Sequence, residues 1–365
     1  MNVLHINSSF STGGAEKLIK LFITENNDQY NNYLCIVNDI VDSDMINGLA
    51  DERILFCKRQ EGSKNIFNNF RIFFKILRFI RLNKISILHC HNTFSLKVAL
   101  LIKKMIKIKV IYTIHANGII NEKYSMLQVD TYVAISKTVY NNAIAVLKNK
   151  KLVLINNAVN LKPFLEINSS KIPKSDKKYK IVCLARINPV KGQDILIKSL
   201  RQLIDKYNFN NFHCYFAGET MDKVYEKKLD DTVSELGLKD CVTFLGNVSD
   251  VYSLYKECDL LVLPSRNEGF GLVLLEALAA GCNVIASNIE APSEIILNYP
   301  IKKQVSTFET ENFMDLSEKI YYFTRFDRYS NYTNKEIIST YLEENYSLDS
   351  FFKQYNLEYD HLMKS

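Results

Sequence analysis

Short apolar runs alternate with segments of helical spacing along most of the chain. "NVLHIN" is followed by the loop "SSFSTGG" and then by "AEKLIKLFITEN", whose apolar positions recur at helical intervals. "NYLCIVN", "ISILHCHN", "KVIYTIHA", "TYVAIS" and "KLVLINNAV" continue the strand series, with helical patterns between most of them. The polar, lysine-rich stretch "INSSKIPKSDKKYK" interrupts the rhythm as a linker would. The alternation then restarts. "KIVCLARI" precedes "QDILIKSLRQLIDKY", "FHCYFAG" precedes "YEKKLDDTVSELG", "CVTFLGNV" precedes "VYSLYKEC", "LLVLPS" precedes "LVLLEALAAG", and "NVIAS" precedes "PSEIIL". Beyond residue 310 the pattern is helical. Repeated strand–helix units predict parallel sheets covered by helices on both faces. Two such series across a linker predict an α/β chain of two Rossmann-like domains, with a ligand cleft between them. The expected divisions are residues 1–170, residues 171–340, and a helical segment 341–365 that packs back on the first domain.

Length and composition agree with this reading. At 365 residues two domains are a better expectation than one core, and 47% apolar with 24% charged residues is ordinary for a soluble chain. The net charge of +6 is unevenly placed: residues 1–170 carry about +10 and the remainder about −4. The halves are therefore expected to meet different partners. Eight cysteines are scattered with no C-x-x-C pair, as expected for small buried residues in a reducing compartment. The start "MNVLHINSS" has neither the basic beginning nor the long apolar stretch of a signal peptide, so a cytoplasmic location is expected. The greasiest region, "IFNNFRIFFKILRFIRL", carries Arg71, Lys75, Arg78 and Arg81 and is not a membrane span. Those four cations fall roughly on one helical face, with phenylalanine, isoleucine and leucine expected on the others. Lys103, Lys104 and Lys107 add charge in the same half. The face is either a solvated basic stripe or a contact for an anionic membrane surface. Nucleic acid is not expected, because no recognition motif accompanies the charge.

Two segments carry candidate chemistry. In "LARINPVKGQD", Arg186 lies at the carboxyl end of a strand and Lys191 lies just before the next helix. Ligands bind at that edge of such sheets, and two cations beside a helix start suit a phosphate. In "RNEGFGLVLLEALAAGC", Gly269 and Gly271 allow close backbone approach, Glu268 sits in the loop, and Glu276 follows inside an apolar helical run. Burying an unpaired carboxylate costs several kcal/mol, so a polar partner or ligand is expected for Glu276.

Together, Arg-x4-Lys-Gly and the later Glu-x7-Glu resemble the retaining glycosyltransferases of the GT-B fold, family 4 (group 1). "STGGAE", "ILHCHN", "YTIHANG", "VAISKTV", "INNAVN", "AGE" and the long stretch from "FLGNV" to "NVIAS" extend the likeness over most of the chain. The resemblance implies a nucleotide-sugar donor, UDP-linked, with no metal and no other cofactor. It implies that Arg186 and Lys191 hold the donor's diphosphate and that Glu276 accepts from ribose hydroxyls. It implies that Glu268 binds the transferred sugar and that His115 lies near the sugar's reacting face. Amides of Gly269, Phe270, Gly271 and Leu272 would approach sugar and phosphate, Gly13 and Gly14 would let the first loop close on the diphosphate and acceptor, and Val248 would lie near the base. Two segments depart from the family: "NIEAPSEII" has Ala291-Pro292 where members often carry a glycine-rich turn, and "HANG" replaces the commoner His-Gly.

Two small motifs are set aside. "DSD" at Asp42–Asp44 matches a Mn²⁺-binding tripeptide but lies far from the donor segments and reads as a turn. "HCH" at His89–His91 could be a metal pair, yet no third ligand is near in sequence. The expected function is transfer of a hexose or N-acetylhexosamine to a growing glycan, with a lipid-linked bacterial surface polysaccharide intermediate as acceptor and the enzyme peripheral at the inner membrane face. A nucleotide-sugar 2-epimerase of the same fold and a non-catalytic glycan- or nucleotide-binding subunit stay open as alternatives.

Overall fold

The computed structural model describes the chain outside residues 12, 27–28, 64, 166–177, 249, 326–333 and 365, and outside the side chains of Ile66, Leu165 and Lys335. It divides into two compact units, Met1–Ala158 with Leu348–Ser365, and Val159–Ser347. The linker-like stretch and the division expected at residue 170 fall almost wholly among residues outside that description. Residues 159–164, expected with the first domain, belong to the second unit. Val159 N donates to Tyr346 O at 3.1 Å, and the Phe164 ring packs edge-on to Tyr252 at 4.8 Å.

The first unit is built on seven parallel strands: β1 (Asn2–Asn7), β2 (Asn31–Asn38), β3 (Ile54–Arg59), β4 (Ile85–Cys90), β5 (Lys109–Ile114), β6 (Thr131–Ala134) and β7 (Leu152–Leu154). Their order is β3-β2-β1-β4-β5-β6-β7. The central strands are buried on both faces, which is why they read as near-continuous apolar runs. Strand β3 escaped the sequence pattern because its four apolar residues run directly into the exposed and half-exposed pair Lys58-Arg59. The C-terminal helix Leu348–Lys364 belongs to this unit, where Tyr355 and Tyr359 are fully buried against Phe22 and His89.

The second unit has six parallel strands: β8 (Tyr179–Leu184), β9 (Phe212–Ala217), β10 (Val242–Gly246), β11 (Leu260–Leu263), β12 (Asn283–Ser287) and β13 (Val305–Phe308), in the order β10-β9-β8-β11-β12-β13. A core of Ile181, Leu196, Leu200, Phe212, Phe216, Leu229, Leu260 and Val262 lies beneath the helices. In both units the connections leave in opposite directions from two neighbouring strands, β1/β4 and β8/β11. That switch opens a crevice at the strands' carboxyl ends, where ligands of such sheets bind.

Among the described residues no helix is long and apolar enough to cross a membrane. The helix Ile66–Leu82 differs from the expected arrangement of faces. Ile72, Ile76, Leu77 and Ile80 are buried, but Phe67, Phe70 and Phe74 stand exposed beside Arg71, Lys75, Arg78 and Arg81. Lys103 is removed from the expected cationic surface, because its Nζ meets Asp130 Oδ2 at 2.5 Å and donates to Gln128 O at 3.0 Å. Lys104 and Lys107 remain exposed. Asp42 caps the short helix Ser43–Ile46, accepting from Asp44 N at 2.9 Å, so its carboxylate serves the backbone.

Candidate active site

Strands β8 and β11 are neighbours, so the loops that follow them share one edge of the sheet. Gly192 ends the first loop with φ +68, and a Cβ there would lie 2.0 Å from the carbonyl oxygen of Pro264. Only glycine allows this approach. Arg266 N donates to Val190 O at 2.7 Å and joins the two loops directly. Lys191 Nζ consequently meets Glu268 Oε1 at 2.5 Å, with the two side chains 20% and 14% exposed. Ser265 Oγ donates to the same carboxylate oxygen at 3.0 Å.

A second network, absent from the sequence reading, fastens these loops. Arg266 grips Asp194 through Nη1 and Nη2, each at 2.9 Å, and reaches Glu311 through Nε at 2.5 Å and Nη2 at 2.9 Å. Tyr225 OH donates to Asp194 Oδ1 at 2.7 Å. Burial alone would raise the Asp194 pKa; the hydrogen bonds from Arg266 and Tyr225 outweigh it and hold the carboxyl below the ordinary range. The bonds to Asp194 and Glu311 raise the Arg266 pKa. The spacing Asp194…Arg266 gave no recognisable signal, since the contact exists only once the two loops adjoin.

The apolar run around Glu276 forms the helix Leu272–Ala279, started by Gly271 in the left-handed region at φ +101. Glu276 is buried, and its Oε2 accepts from Tyr255 OH at 3.0 Å. Burial, and then the nearby carboxylate, push the Tyr255 pKa well up, so the phenol stays a donor. Phe270 is buried edge-on to Tyr346, which leaves its backbone rather than its ring for a ligand. Gly269 and Leu272 are half-buried beside it, and Val248 is half-buried two residues past β10. Arg186 is exposed just beyond β8; among the described residues no contact joins its guanidinium to Lys191 or Glu268. Its backbone oxygen accepts from Gln193 Nε2 at 3.0 Å.

In the first unit, Gly13 precedes and Gly14 begins the helix Gly14–Thr24 that follows β1. Gly13 has φ −165, extended backbone open to any residue. Strands β4 and β5 deliver His91 and His115 just past their ends. His91 Nδ1 lies 2.9 Å from His115 Nε2, and His91 Nε2 lies 3.0 Å from His5 Nδ1. His5 Nε2 lies 3.1 Å from Asn32 Oδ1. Neither His5 nor Asn32 was legible as part of a site. Sequence spacing left the "HCH" pair without a third ligand, whereas in space His5 joins His89 and His91. The trio still lacks a free set of metal ligands. His89 spends Nδ1 on Tyr359 OH and Nε2 on Thr113 Oγ1, both at 2.7 Å. Burial lowers the pKa of all four rings, His5 and His115 to about 4 and His89 and His91 well below the ordinary value.

Comparison with known proteins supplies the family. The description "Glycosyl transferases group 1" matches residues 166–335, and "Glycosyltransferase Family 4" matches residues 46–162. The chain is 28% identical over 326 residues to the "uncharacterized 41.2 kDa protein in cps region" of Klebsiella pneumoniae, covering 81% of this chain and 83% of that one. It is 36% identical over 117 residues to the lipopolysaccharide core biosynthesis mannosyltransferase LpcC of Rhizobium leguminosarum bv. viciae, covering 32% and 33% of the two chains. The fold is similar to that of Anabaena Alr3699/HepE, solved in complex with UDP and glucose: TM-score 0.81 at 17% identity, over 99% of this chain and 100% of that one. With a group 1 match on the unit that carries Lys191 and Glu268, a family 4 match on the other, and two Rossmann-like sheets of the GT-B type, the chain belongs to the group 1 glycosyltransferases.

Proposed function

We propose that the protein is a retaining, metal-independent transferase that moves a hexose or N-acetylhexosamine from a UDP-linked donor to a growing glycan. The observation that carries this reading is the Lys191–Glu268 pair at the β8/β11 switch point. Breaking the anomeric bond to a diphosphate leaves growing negative charge on the departing oxygen. Lys191, with Arg186 at the same sheet edge, would stabilise that charge more in the transition state than in the ground state. Glu268 would then take a sugar hydroxyl in place of the ammonium. Glu276, held by Tyr255, would accept from the ribose hydroxyls, the expected partner for an acid in an apolar helix. The UDP and glucose bound by HepE support the donor class, and LpcC's role in lipopolysaccharide core synthesis supports a bacterial surface glycan as the product.

The acceptor would be lipid-linked, with the enzyme resting on the inner membrane face. The exposed face of the helix Ile66–Leu82 supports this: phenylalanines to enter the headgroup boundary, flanked by cations to meet anionic lipid.

A thermal-shift screen across nucleotide-sugars tests the donor, since a ligand of the native state raises the melting temperature with its concentration over Kd. The expected result is a rise with UDP-sugars, followed by transfer of labelled sugar to membrane extract with the donor's anomeric configuration kept. Conversion of the sugar without acceptor would turn the reading into an epimerase. UDP binding without turnover on any extract would leave a non-catalytic subunit.

A further inference from the structure

Three imidazoles in the first unit form one hydrogen-bonded line from a buried amide to a part-exposed end: Asn32, His5, His91, His115. The amide's orientation is fixed from behind. Asn32 Nδ2 donates to Asn26 O at 2.7 Å and to Tyr30 O at 3.2 Å, so Oδ1 must face His5. An amide oxygen only accepts. His5 Nε2 therefore carries the proton, and in the neutral ring His5 Nδ1 is a lone pair. His91 Nε2 must then donate to it, which leaves His91 Nδ1 to accept from His115 Nε2. Each ring is forced into the same tautomer as the one before. The line ends with Nε2 of the half-buried His115 spent as a donor and Nδ1 left with a lone pair that has no hydrogen-bond partner among the described residues.

We infer that Asn32, acting through His5 and His91, is a positioning residue that holds His115 as a hydrogen-bond acceptor at Nδ1, so that the substrate group bound there is a hydroxyl and not an anion. Building on the transferase reading, this names a neutral, hydroxyl-bearing sugar over a uronate at that place. Burial keeps the rings uncharged at neutral pH, so no imidazolium competes for the role. Asn32 neither gives up nor takes a proton in that range, so the line sets tautomers and does not drain protons from His115. The arrangement is built by fold topology: β2, β1 and β4 are consecutive in the sheet, and His5 pairs with His89 in register, which sets His91 beside it.

The test reads ring nitrogens in the full-length protein labelled with ¹⁵N-histidine, without nucleotide-sugar, at pH 7. Two-bond proton–nitrogen correlations distinguish the tautomers, and His115→Gln assigns the His115 signals by their loss. His115 is expected as a single Nε2–H form with an unprotonated Nδ1. A ring protonated at Nδ1, or averaged between forms, would overturn the proposal even if no Asn32 variant folds. In Asn32→Leu the acceptor for His5 is gone, and the line is expected to reverse so that an Nδ1–H form of His115 appears. Asn32→Asp keeps an acceptor and should keep the parental pattern. An unchanged His115 spectrum in folded Asn32→Leu would remove Asn32 from the role. Addition of UDP-glucose should shift the Nδ1 signal as it accepts a hydroxyl, whereas UDP-glucuronate should not; equal shifts would overturn the ligand assignment. Absence of binding by any UDP-sugar would count against the transferase reading, while the ligand-free ring pattern decides the tautomer by itself.

Discussion

Lys191 Nζ donates to Glu268 Oε1 at 2.5 Å across 77 residues of sequence, and each is the other's counter-ion. On the proposed reading, a diphosphate that recruited Lys191 would free Glu268 for a sugar hydroxyl and so couple the two halves of donor binding. Lys191→Ala should lower turnover by about 10²–10³, as does loss of one group that stabilises developing charge. Circular dichroism should be unchanged. Activity within a factor of two of the parent would place Lys191 outside the mechanism.

The approach of these loops depends on Gly192. An alanine there needs φ +68 and sets a Cβ 2.0 Å from Pro264 O, a backbone atom that cannot rotate away. Gly192→Ala should cost roughly 1–3 kcal/mol or more and lower turnover by displacing Lys191. Gly62→Ala is the control: φ is +73, but the added Cβ meets nothing within 4 Å, so only the backbone term remains. Urea melts of the two variants check this, and equal midpoints would show that the Pro264 contact is relieved cheaply.

Tyr255 OH is a described donor to the buried Glu276 carboxylate. Tyr255→Phe removes that bond while keeping the ring, and a hydrogen bond to a charged group contributes about 1.5–3 kcal/mol. UDP should then bind about tenfold more weakly, by calorimetry, because Glu276 loses its orientation. Glu276→Gln, which keeps the shape but loses charge, should weaken UDP binding as well and should not reduce stability. Unaltered UDP affinity in both variants would detach Glu276 from the ribose.

Much of this was legible in the sequence, and the omissions have physical causes. Arg186, Lys191, Glu268 and Glu276 stand in short segments whose strand–loop–helix pattern is strong, so their place on a sheet edge could be read locally. The helix Gln193–Tyr207 and strand β12 matched the predicted runs end to end. Strands β3 and β13 did not show, although the edge strands β7 and β10 did: β3 is four apolar residues running into Lys58-Arg59, and β13 is the half-polar run VSTF. Asn32, His5 and His91 become neighbours only through the β2-β1-β4 order, and Arg266 meets Asp194 only because β8 adjoins β11. Such contacts belong to topology, which no local pattern carries. The exposed phenylalanines of the helix Ile66–Leu82 were missed for the opposite reason: a segment rich in apolar residues has more of them than one buried face can hold.

That surplus separates two contributions to membrane contact. Phe70→Ser with Phe74→Ser should weaken binding to neutral and anionic vesicles alike, by about 1.5–3 kcal/mol for each ring that enters the headgroup boundary. Reversing Arg71, Lys75 and Arg78 to glutamate should release the protein from anionic vesicles only, and added salt should imitate that effect. Co-sedimentation with both lipid compositions reads the difference. Equal sedimentation of parent and both variants would remove the membrane from the account.

The histidine cluster also predicts how stability depends on pH. His5 and His115 are lowered by burial to about 4, and His89 and His91 are lowered well below the ordinary range by burial and then by neighbouring imidazoles. In the unfolded chain each titrates near 6.5. As pH falls below that value the unfolded state takes up protons first, so stability is complete above about pH 6.5 and declines as pH falls through about 4. His5, fully buried, should alone account for a loss on the order of 3 kcal/mol across that window. The Asp194 carboxyl acts in the same direction but lower: its pKa lies below the ordinary 3.8, so its contribution is lost only beneath the histidine window. Urea melts at pH 7.5, 6.5, 5.5 and 5 should therefore show a midpoint that falls with acidification before any carboxylate titrates appreciably. His115→Gln should flatten the slope by up to one proton's share, about 1.4 kcal/mol per pH unit. A midpoint constant from pH 7.5 to 5 would mean that these rings are not held neutral by the fold.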